Sequence, residues 1–171
     1  MNRNTGSLLA LFGACALAIT PAAFAADYSL ANGTVKFAAP DAWPMLMEKL
    51  DGSRQFVALQ VKNPADANAL SRITVTTEQV DGVQGFQKFL SDGTARAHTL
   101  PGYLATTSPG DQSSLRYTAT DNREQNAYTE VYAYRSNLAI QVRCIRPAGA
   151  AAAWSSTFDA GCQSIVSAVE K

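Results

Sequence analysis

Apolar and polar residues alternate in seven segments of the chain, and this alternation predicts seven β-strands. The predicted strands are Thr34–Pro40, Gln55–Asn63, Ser71–Val80, Tyr103–Ser108, Ser113–Thr120, Asn126–Arg135 and Leu138–Arg146. Only a few turn residues separate the last four, and short turns between neighbouring strands favour antiparallel hairpins. Asp27–Gly33 is predicted as a lead-in, and Pro40–Met45 as a rigid turn that folds Trp43 onto the core.

The hydrophobic period changes from two to about 3.6 at two places, which predicts two helices. The first spans Gly82–Asp92, with Asp81 as its N-cap and Gly93 as its end. Its apolar stripe consists of Val83, Phe86, Phe89 and Leu90. The second runs to the C-terminus on a stripe formed by Trp154, Phe158, Cys162, Ile165 and Val169. The predicted order is β-β-β-α-β-β-β-β-α, an α+β fold with an antiparallel sheet and helices packed on it.

Met1–Ala25 has the three parts of a secretory signal peptide. Arg3 supplies the positive charge, Leu8–Ile19 is an apolar run of 12 residues, and Ala23–Ala25 matches a small-x-small cleavage site. A retained membrane anchor takes about 20 apolar residues, so we predict cleavage near Ala25 and no stable membrane insertion. We therefore expect a periplasmic or secreted protein.

Lipidation of Cys15 is the alternative, since "LFGA" before it loosely resembles a lipobox. Ala16–Ile19 continue the apolar run, however, where a lipoprotein would begin a polar tether. Cleavage after Ala25 leaves 146 of the 171 residues, which suits a single domain, 26–171.

The charges of this domain are balanced, with 13 basic and 14 acidic side chains and no block of like charge. Nucleic acid and anionic membrane surfaces attract a concentrated basic face. The composition therefore argues against either as the main partner, and we expect the partner to be another protein.

Two cysteines, Cys144 and Cys162, remain after cleavage. Structural zinc takes four ligands, and with the single histidine His98 the domain offers three, so no metal is predicted. A C-x-x-C redox motif is absent. In an oxidising compartment the pair favours a structural disulfide, with free thiols or redox use as the alternatives. The bond would join the last strand to the last helix, because each cysteine lies on the apolar side of its element.

Four stretches resemble the PsbP-like α/β/α sandwich family: "VKFAAPDAWP", "QFVALQV", "ITV" and the ending "QVRCIRP" followed by a tryptophan, a phenylalanine, a cysteine and an isoleucine. The opening F-x-x-P-x-x-W of bacterial exported members corresponds to Phe37, Pro40 and Trp43. Photosynthetic members assist the oxygen-evolving complex, and a eukaryotic relative binds the Ran GTPase. The resemblance implies a non-enzymatic module that works through contacts.

Motifs for catalysis are absent: the sequence has no G-x-S-x-G, S-x-x-K, HExxH, P-loop or GxGxxG. We expect His98 to be a solvated loop histidine rather than a base. The acidic residues are scattered, several in turns where backbone chemistry explains them, and no calcium loop is present. We predict no catalytic residues, no metal and no cofactor.

Tyrosine and arginine are concentrated between Tyr103 and Arg146, five of each. Both residues are favoured in protein interfaces. Arg116, Gln141 and Arg143 lie on the polar sides of their strands, and we expect them to share one binding surface of the sheet. The simpler interpretation is that tyrosine favours strands and arginine solvates their outer face.

Three functions compete at this point. The leading hypothesis is an exported interaction or accessory protein, such as an inhibitor or an immunity protein, which acts through a protein-binding surface. The alternative is a small-molecule or lipid carrier, which requires an apolar pocket. The third is a hydrolase centred on His98.

Overall fold

The computed structural model describes residues 25–66, 69, 71–106 and 113–171. The predicted signal peptide, Met1–Ala25, lies outside the described residues except for its last residue, Ala25. Each predicted strand and helix is found in the predicted order, which confirms the α+β class. Two further strands precede the first helix.

The elements follow the chain without long interruptions. They are β1 (Ala25–Leu30), a short 3-10 turn (Ala31–Gly33), β2 (Val35–Pro40), β3 (Met45–Lys49), β4 (Arg54–Gln60), β5 (Arg72–Gln79), α1 (Gly82–His98), β6 (Leu104–Ala105), β7 (Ser114–Asp121), β8 (Glu124–Arg135), β9 (Leu138–Pro147) and α2 (Ala152–Val169). β1 and β2 form a two-stranded hairpin, and the others form a seven-stranded sheet in the order β3-β4-β5-β9-β8-β7-β6. All strand pairs are antiparallel.

The two additional strands, β1 and β3, were not predicted, although β1 alternates, with Ala26, Tyr28 and Leu30 more buried than the residues between them. All five residues of β3 are exposed, so no buried face marks it in the sequence. β1 belongs to the segment expected to be an irregular lead-in. It becomes a strand by pairing with β2, where Tyr28 stacks on Phe37 with ring centroids 5.2 Å apart.

Helix α1 is longer than predicted, because Gly93 lies inside it and does not end it. A Cβ at Gly93 would stand 2.2 Å from the hydroxyl of Tyr132, so glycine here permits close packing of the helix on β8. The helix continues to His98, which is therefore its last residue and not a loop residue. The exposed ring of His98 lies 4.5 Å from that of Tyr103.

One face of the large sheet, the α2 face, carries the main hydrophobic core. The hairpin β1–β2 and helix α2 cover it. Cys144 of β9 and Cys162 of α2 are bonded, which confirms the predicted disulfide between the last strand and the last helix. Trp43 is half-buried against this core, as predicted, and its ring fills the space where Gly161 has no side chain.

The opposite face, the α1 face, is only partly covered. Helix α1 packs over β8, where Phe86 contacts Tyr134 and Phe89 contacts Tyr132. Within the described residues, no helix lies above the part of this face formed by β3, β4 and β5, and this opening is the candidate site. Among the residues described, no helix has the length and apolar character needed to cross a membrane.

Candidate functional site

A groove of about 400 Å³ lies on the α1 face between helix α1 and the edge strand β3. Its floor is formed by β4, β5 and β9, and side chains two positions apart on each strand point into it. We call it the arginine groove. It is lined by Leu46, Met47, Arg54, Phe56, Ala58, Arg72, Thr74, Thr76, Arg96, Gln141 and Arg143.

A bulge in β3 shapes the apolar wall of the groove. The pairing register between β3 and β4 shifts between Met45 and Met47. A bulge re-aims side chains locally, and here the adjacent residues Leu46 and Met47 both line the groove, which regular alternation does not allow. Both side chains are exposed, Met47 to 58%. The groove thus has an apolar rim beside its charged floor.

The arginines of the groove fall into two classes. Arg54 lies 3.4 Å from Glu78, and Arg143 lies 2.9 Å from Glu130. For Arg72 and Arg96, no carboxylate of the described residues is within ion-pair distance. The lining of the groove contains four arginines and no carboxylate, and two of the four have no ion-pair partner among the described residues, so the groove presents a positive surface.

Glu130 is buried beneath this surface, with 1% of its side chain exposed. The hydroxyl of Tyr117 donates to its Oε1 at 2.6 Å, and that of Tyr132 donates to its Oε2 at 2.5 Å. Gln141 Nε2 donates to the same Oε2 at 2.7 Å. The carboxylate thus has three hydrogen-bond donors as well as the ion pair with Arg143, and this meets the cost of burying its charge.

Arg143 is held from two sides. Its Nε is close to Glu130, although its N–H does not point at that carboxylate. Its guanidinium also lies over the ring of Tyr128, 5.2 Å from the centroid, as in a cation–π contact. Burial alone would lower the pKa of Arg143, but the charge of Glu130 and the neighbouring tyrosines raise it. The arginine therefore stays charged in a fixed position.

Three of the five tyrosines of this region form an internal stack instead of an exposed binding surface. Tyr117 and Tyr128 are buried and stack at 4.7 Å, with their rings within 5° of parallel. Tyr103 continues the stack at 5.0 Å from Tyr117. Burial, followed by the charge of Glu130, raises the pKa of Tyr117 and of Tyr132 far above the ordinary value, so both hydroxyls keep their protons to donate.

Two of the three residues predicted to form a binding surface lie together, and one does not. Gln141 and Arg143 both line the groove. Arg116 pairs with Thr129, which pairs in turn with Cys144 on the α2 face. Directly paired residues share a face, so Arg116 lies on the opposite side of the sheet and the expectation that it joins the other two is wrong.

Sequence reasoning missed most of the groove. Arg72 was visible as a polar position in a predicted strand and Arg54 directly preceded one, but nothing in the sequence shows that β4 and β5 lie side by side under an opening. Glu130 did leave a signal, because Tyr128 and Tyr132 flank it at a spacing of two in a central strand. An acid on such a face is buried and needs donors.

The described residues hold no group of three or more histidine, cysteine, aspartate or glutamate side chains that could bind a metal ion. The chemistry that the groove offers is therefore that of its arginines, its two threonines and its apolar rim, and this set suits the binding of anionic groups.

The arrangement is that of an antiparallel sheet with one helix on each face. No family model matches the chain, and no curated protein matches it. Among solved structures, the Ran-binding protein Mog1p of Saccharomyces cerevisiae is similar, with a TM-score of 0.51 and 8% identity over 86% of this chain and 96% of that one. The likeness confirms the predicted resemblance in fold: this chain has the PsbP/Mog1-like architecture.

Two further structures are similar to this chain. PsbP (CyanoP) of the cyanobacterium Synechocystis has a TM-score of 0.49 and 12% identity, over 89% of this chain and 96% of that one. LpqN of Mycobacterium tuberculosis, described as involved in cell envelope biogenesis, has a TM-score of 0.40 and 15% identity, over 74% of this chain and 76% of that one.

Proposed function

We propose that this protein is an exported, non-enzymatic interaction protein that binds a partner protein through the arginine groove. The observation that carries the proposal is the pair of arginines without an ion-pair partner among the described residues, Arg72 and Arg96, in a groove whose rim exposes Leu46 and Met47. Charged recognition groups beside exposed apolar anchors are typical of protein-binding surfaces.

The state of Glu130 supports binding over catalysis. A catalytic acid or base must exchange protons with a substrate, and so needs access to it. Glu130 is buried, and its two oxygens are occupied by Tyr117, Tyr132, Gln141 and Arg143. Its role is structural: it fixes Arg143 in the groove.

Export is supported by the predicted signal peptide and by the Cys144–Cys162 disulfide, since such bonds persist in oxidising compartments. The similar fold of Mog1p, a Ran-binding protein, supports a mode of action through protein contacts. The proposal includes three roles: an accessory subunit, an inhibitor and an immunity protein. The identity of the partner would distinguish between them.

Site-specific photo-cross-linking in the native envelope tests the proposal. A photo-reactive phenylalanine analogue at Met47, exposed on the rim of the groove, is expected to give one dominant protein adduct. The same analogue at Gln163, exposed on α2, is the matched control and should not give it. The adduct should be lost when Arg72→Gln and Arg96→Gln are added. Equal adducts from both positions, or an adduct that the two substitutions leave unchanged, would contradict binding through the groove.

The carrier hypothesis predicts a different result. A small amphiphile with an acidic head could use the same arginines and the same apolar rim. Native mass spectrometry of protein purified from its own host would then show a bound small molecule, while the cross-linker at Met47 would give no protein adduct.

A further inference from the structure

We infer that the partner presents an acidic segment that also carries apolar side chains, with carboxylates on Arg72 and Arg96 and apolar groups against Leu46 and Met47. This inference rests on the proposed function and specifies the chemistry of the partner. It follows from the charges of the groove, from the fixed position of Arg143 and from the distribution of exposed apolar residues.

Arg72 and Arg96 are the two arginines of the groove that have no ion-pair partner among the described residues. Arg72 is half-buried on the floor and Arg96 projects from α1 over it. Cations in a concave surface of low dielectric attract anions more strongly than cations on a convex one. A guanidinium binds a carboxylate through two parallel hydrogen bonds, so each arginine is suited to one acidic side chain.

Arg143 and Gln141 add a third, pre-organised position. The pair with Glu130 neutralises much of the charge of Arg143, but its side chain is still 22% exposed and lines the groove. Because Glu130 and Tyr128 already hold this arginine in place, a ligand loses little free energy in ordering it. Thr74 is half-buried on the floor and offers its hydroxyl to the backbone of an extended segment lying there, whereas Gln141 and Thr76 are buried at the bottom of the groove.

The exposed apolar side chains beside the groove favour a protein segment over a small anion as the ligand. Of the seven large apolar side chains that are exposed among the described residues, four lie in or just after the edge strand β3: Met45, Leu46, Met47 and Leu50. This surface continues from the groove to the edge of the sheet, beyond the space that a small anion would occupy. Methionine side chains adapt to different apolar partners, which suits such a surface.

Binding of synthetic peptides to the folded mature protein tests the inference. The probe is a fluorescein-labelled 12-residue peptide with four glutamates and three leucines, followed by fluorescence anisotropy. One control peptide replaces the glutamates with lysines, and another replaces the leucines with serines. We expect the acidic apolar peptide to bind at least about tenfold more tightly than either control, and more weakly at 300 mM than at 50 mM NaCl.

Three variants locate the binding. Arg72→Gln with Arg96→Gln is expected to weaken the acidic apolar peptide by about tenfold or more, and Met47→Ser to weaken it by less. Arg123→Gln, in the exposed turn between β7 and β8, is the matched control and should change nothing. Unchanged melting temperatures would show that the groove variants remain folded.

The outcomes separate this inference from the proposed function. If the acidic apolar peptide binds no better than the lysine peptide, or if the arginine variant binds it normally, the inference is wrong. If a protein cross-links through Met47 but its contact segment has no acidic residues, the inference fails while the proposed function stands. If no protein cross-links there and mass spectrometry finds a small amphiphile, the proposed function fails as well.

Discussion

Glu130 and Arg143 stand directly opposite each other on the neighbouring strands β8 and β9, and their charged groups meet at 2.9 Å. Only 1% of the carboxylate side chain and 22% of the arginine side chain are exposed. Removing one member of a buried pair leaves the other uncompensated in a medium that solvates it poorly. The pair therefore couples the stability of the sheet to the geometry of the groove.

Glu130→Ala is accordingly expected to lower the free energy of unfolding by about 3–5 kcal/mol. The substitution leaves Arg143 without its opposite charge and the hydroxyls of Tyr117 and Tyr132 without their hydrogen-bond acceptor. Urea denaturation measures this. Glu78→Ala is the matched control: its pair with Arg54 is largely exposed, so a loss of about 1 kcal/mol or less is expected. Equal losses in both variants would show that the network around Glu130 does not stabilise the sheet.

The same network predicts a loss of stability in alkali. Burial and then Glu130 raise the pKa of Tyr117 and of Tyr132 in the folded protein above the ordinary value of 10.0. Below pH 10 both states keep these protons and the stabilisation is complete. Above it the unfolded chain loses protons first, so stability falls with rising pH, by up to about 1.4 kcal/mol per unit for each tyrosine.

Urea denaturation between pH 8 and pH 11 measures this slope. Tyr117→Phe with Tyr132→Phe should make the decline shallower. The decline should not disappear in this double variant, because burial also raises the pKa of Tyr28 and Tyr128. A slope identical to that of the parent protein would contradict the assignment of the decline to this network.

Gly93→Ala is expected to destabilise the protein by about 1–3 kcal/mol, the usual cost of overpacking. At an exposed helix position the same change stabilises the protein by about 1 kcal/mol. The sign of the change in stability therefore shows whether Gly93 is packed against Tyr132 or is exposed. A Cβ would stand 2.2 Å from the hydroxyl of Tyr132 and 2.9 Å from its ring carbon Cζ. Thermal unfolding measures the effect.

Tyr132→Phe supplies the control for Gly93→Ala, because it removes the nearest atom and leaves the ring. In that background Gly93→Ala should cost less than in the parent protein. Stabilisation by Gly93→Ala alone would mean that the helix does not pack on β8 as described.

Gly93 also shows why sequence patterns predicted the presence of helices and strands better than the residues at which they begin and end. Alternation located seven strands because each has a buried face, and it failed for β3, which has none. A glycine after an apolar stripe is typical of a helix end, but it serves equally where a tyrosine packs against a helix. The sequence alone does not distinguish these cases, because the tyrosine is 39 positions away.

The groove escaped prediction for a related reason. Gln141 and Arg143 could be predicted because alternation along the single strand β9 places them on one face and Cys144 on the other. Placing Arg116 with them required the register of two further strand pairs, which sequence patterns do not specify. Leu46 reaches the groove through a bulge, a local feature with no signal in the hydrophobic pattern.

The predicted cleavage gives a direct test at the N-terminus. We expect the exported protein to begin at Ala26, as measured by intact mass and N-terminal sequencing. Cleavage there keeps five residues of β1 in register with β2, from Ala26 opposite Ala39 to Leu30 opposite Val35. A mass that includes a lipid on Cys15 would contradict this prediction and would make the protein membrane-anchored.

Reduction of the Cys144–Cys162 bond is expected to loosen α2 before the sheet. Strand β9 is hydrogen-bonded to β5 and β8 on both sides, whereas α2 is held by its apolar face, by the bond and, among the described residues, by two polar contacts that its first half makes with β9 and with Lys62. These contacts are the ion pair of Arg146 with Asp159 at 2.9 Å and the donation from Trp154 Nε1 to a backbone carbonyl at 3.1 Å.

Cys144→Ala with Cys162→Ala should therefore cost about 2–5 kcal/mol, the usual loss for a native disulfide in a small exported domain. Partial unfolding is expected at moderate temperature, because Phe158 and Ile165 still pack on the core without the bond. Hydrogen exchange gives the decisive measurement: on reduction it should accelerate across 152–169, most strongly in the second half of the helix, while β9 stays protected. Equal acceleration in α2 and β9 would mean that the disulfide stabilises the whole domain and not the attachment of its last helix.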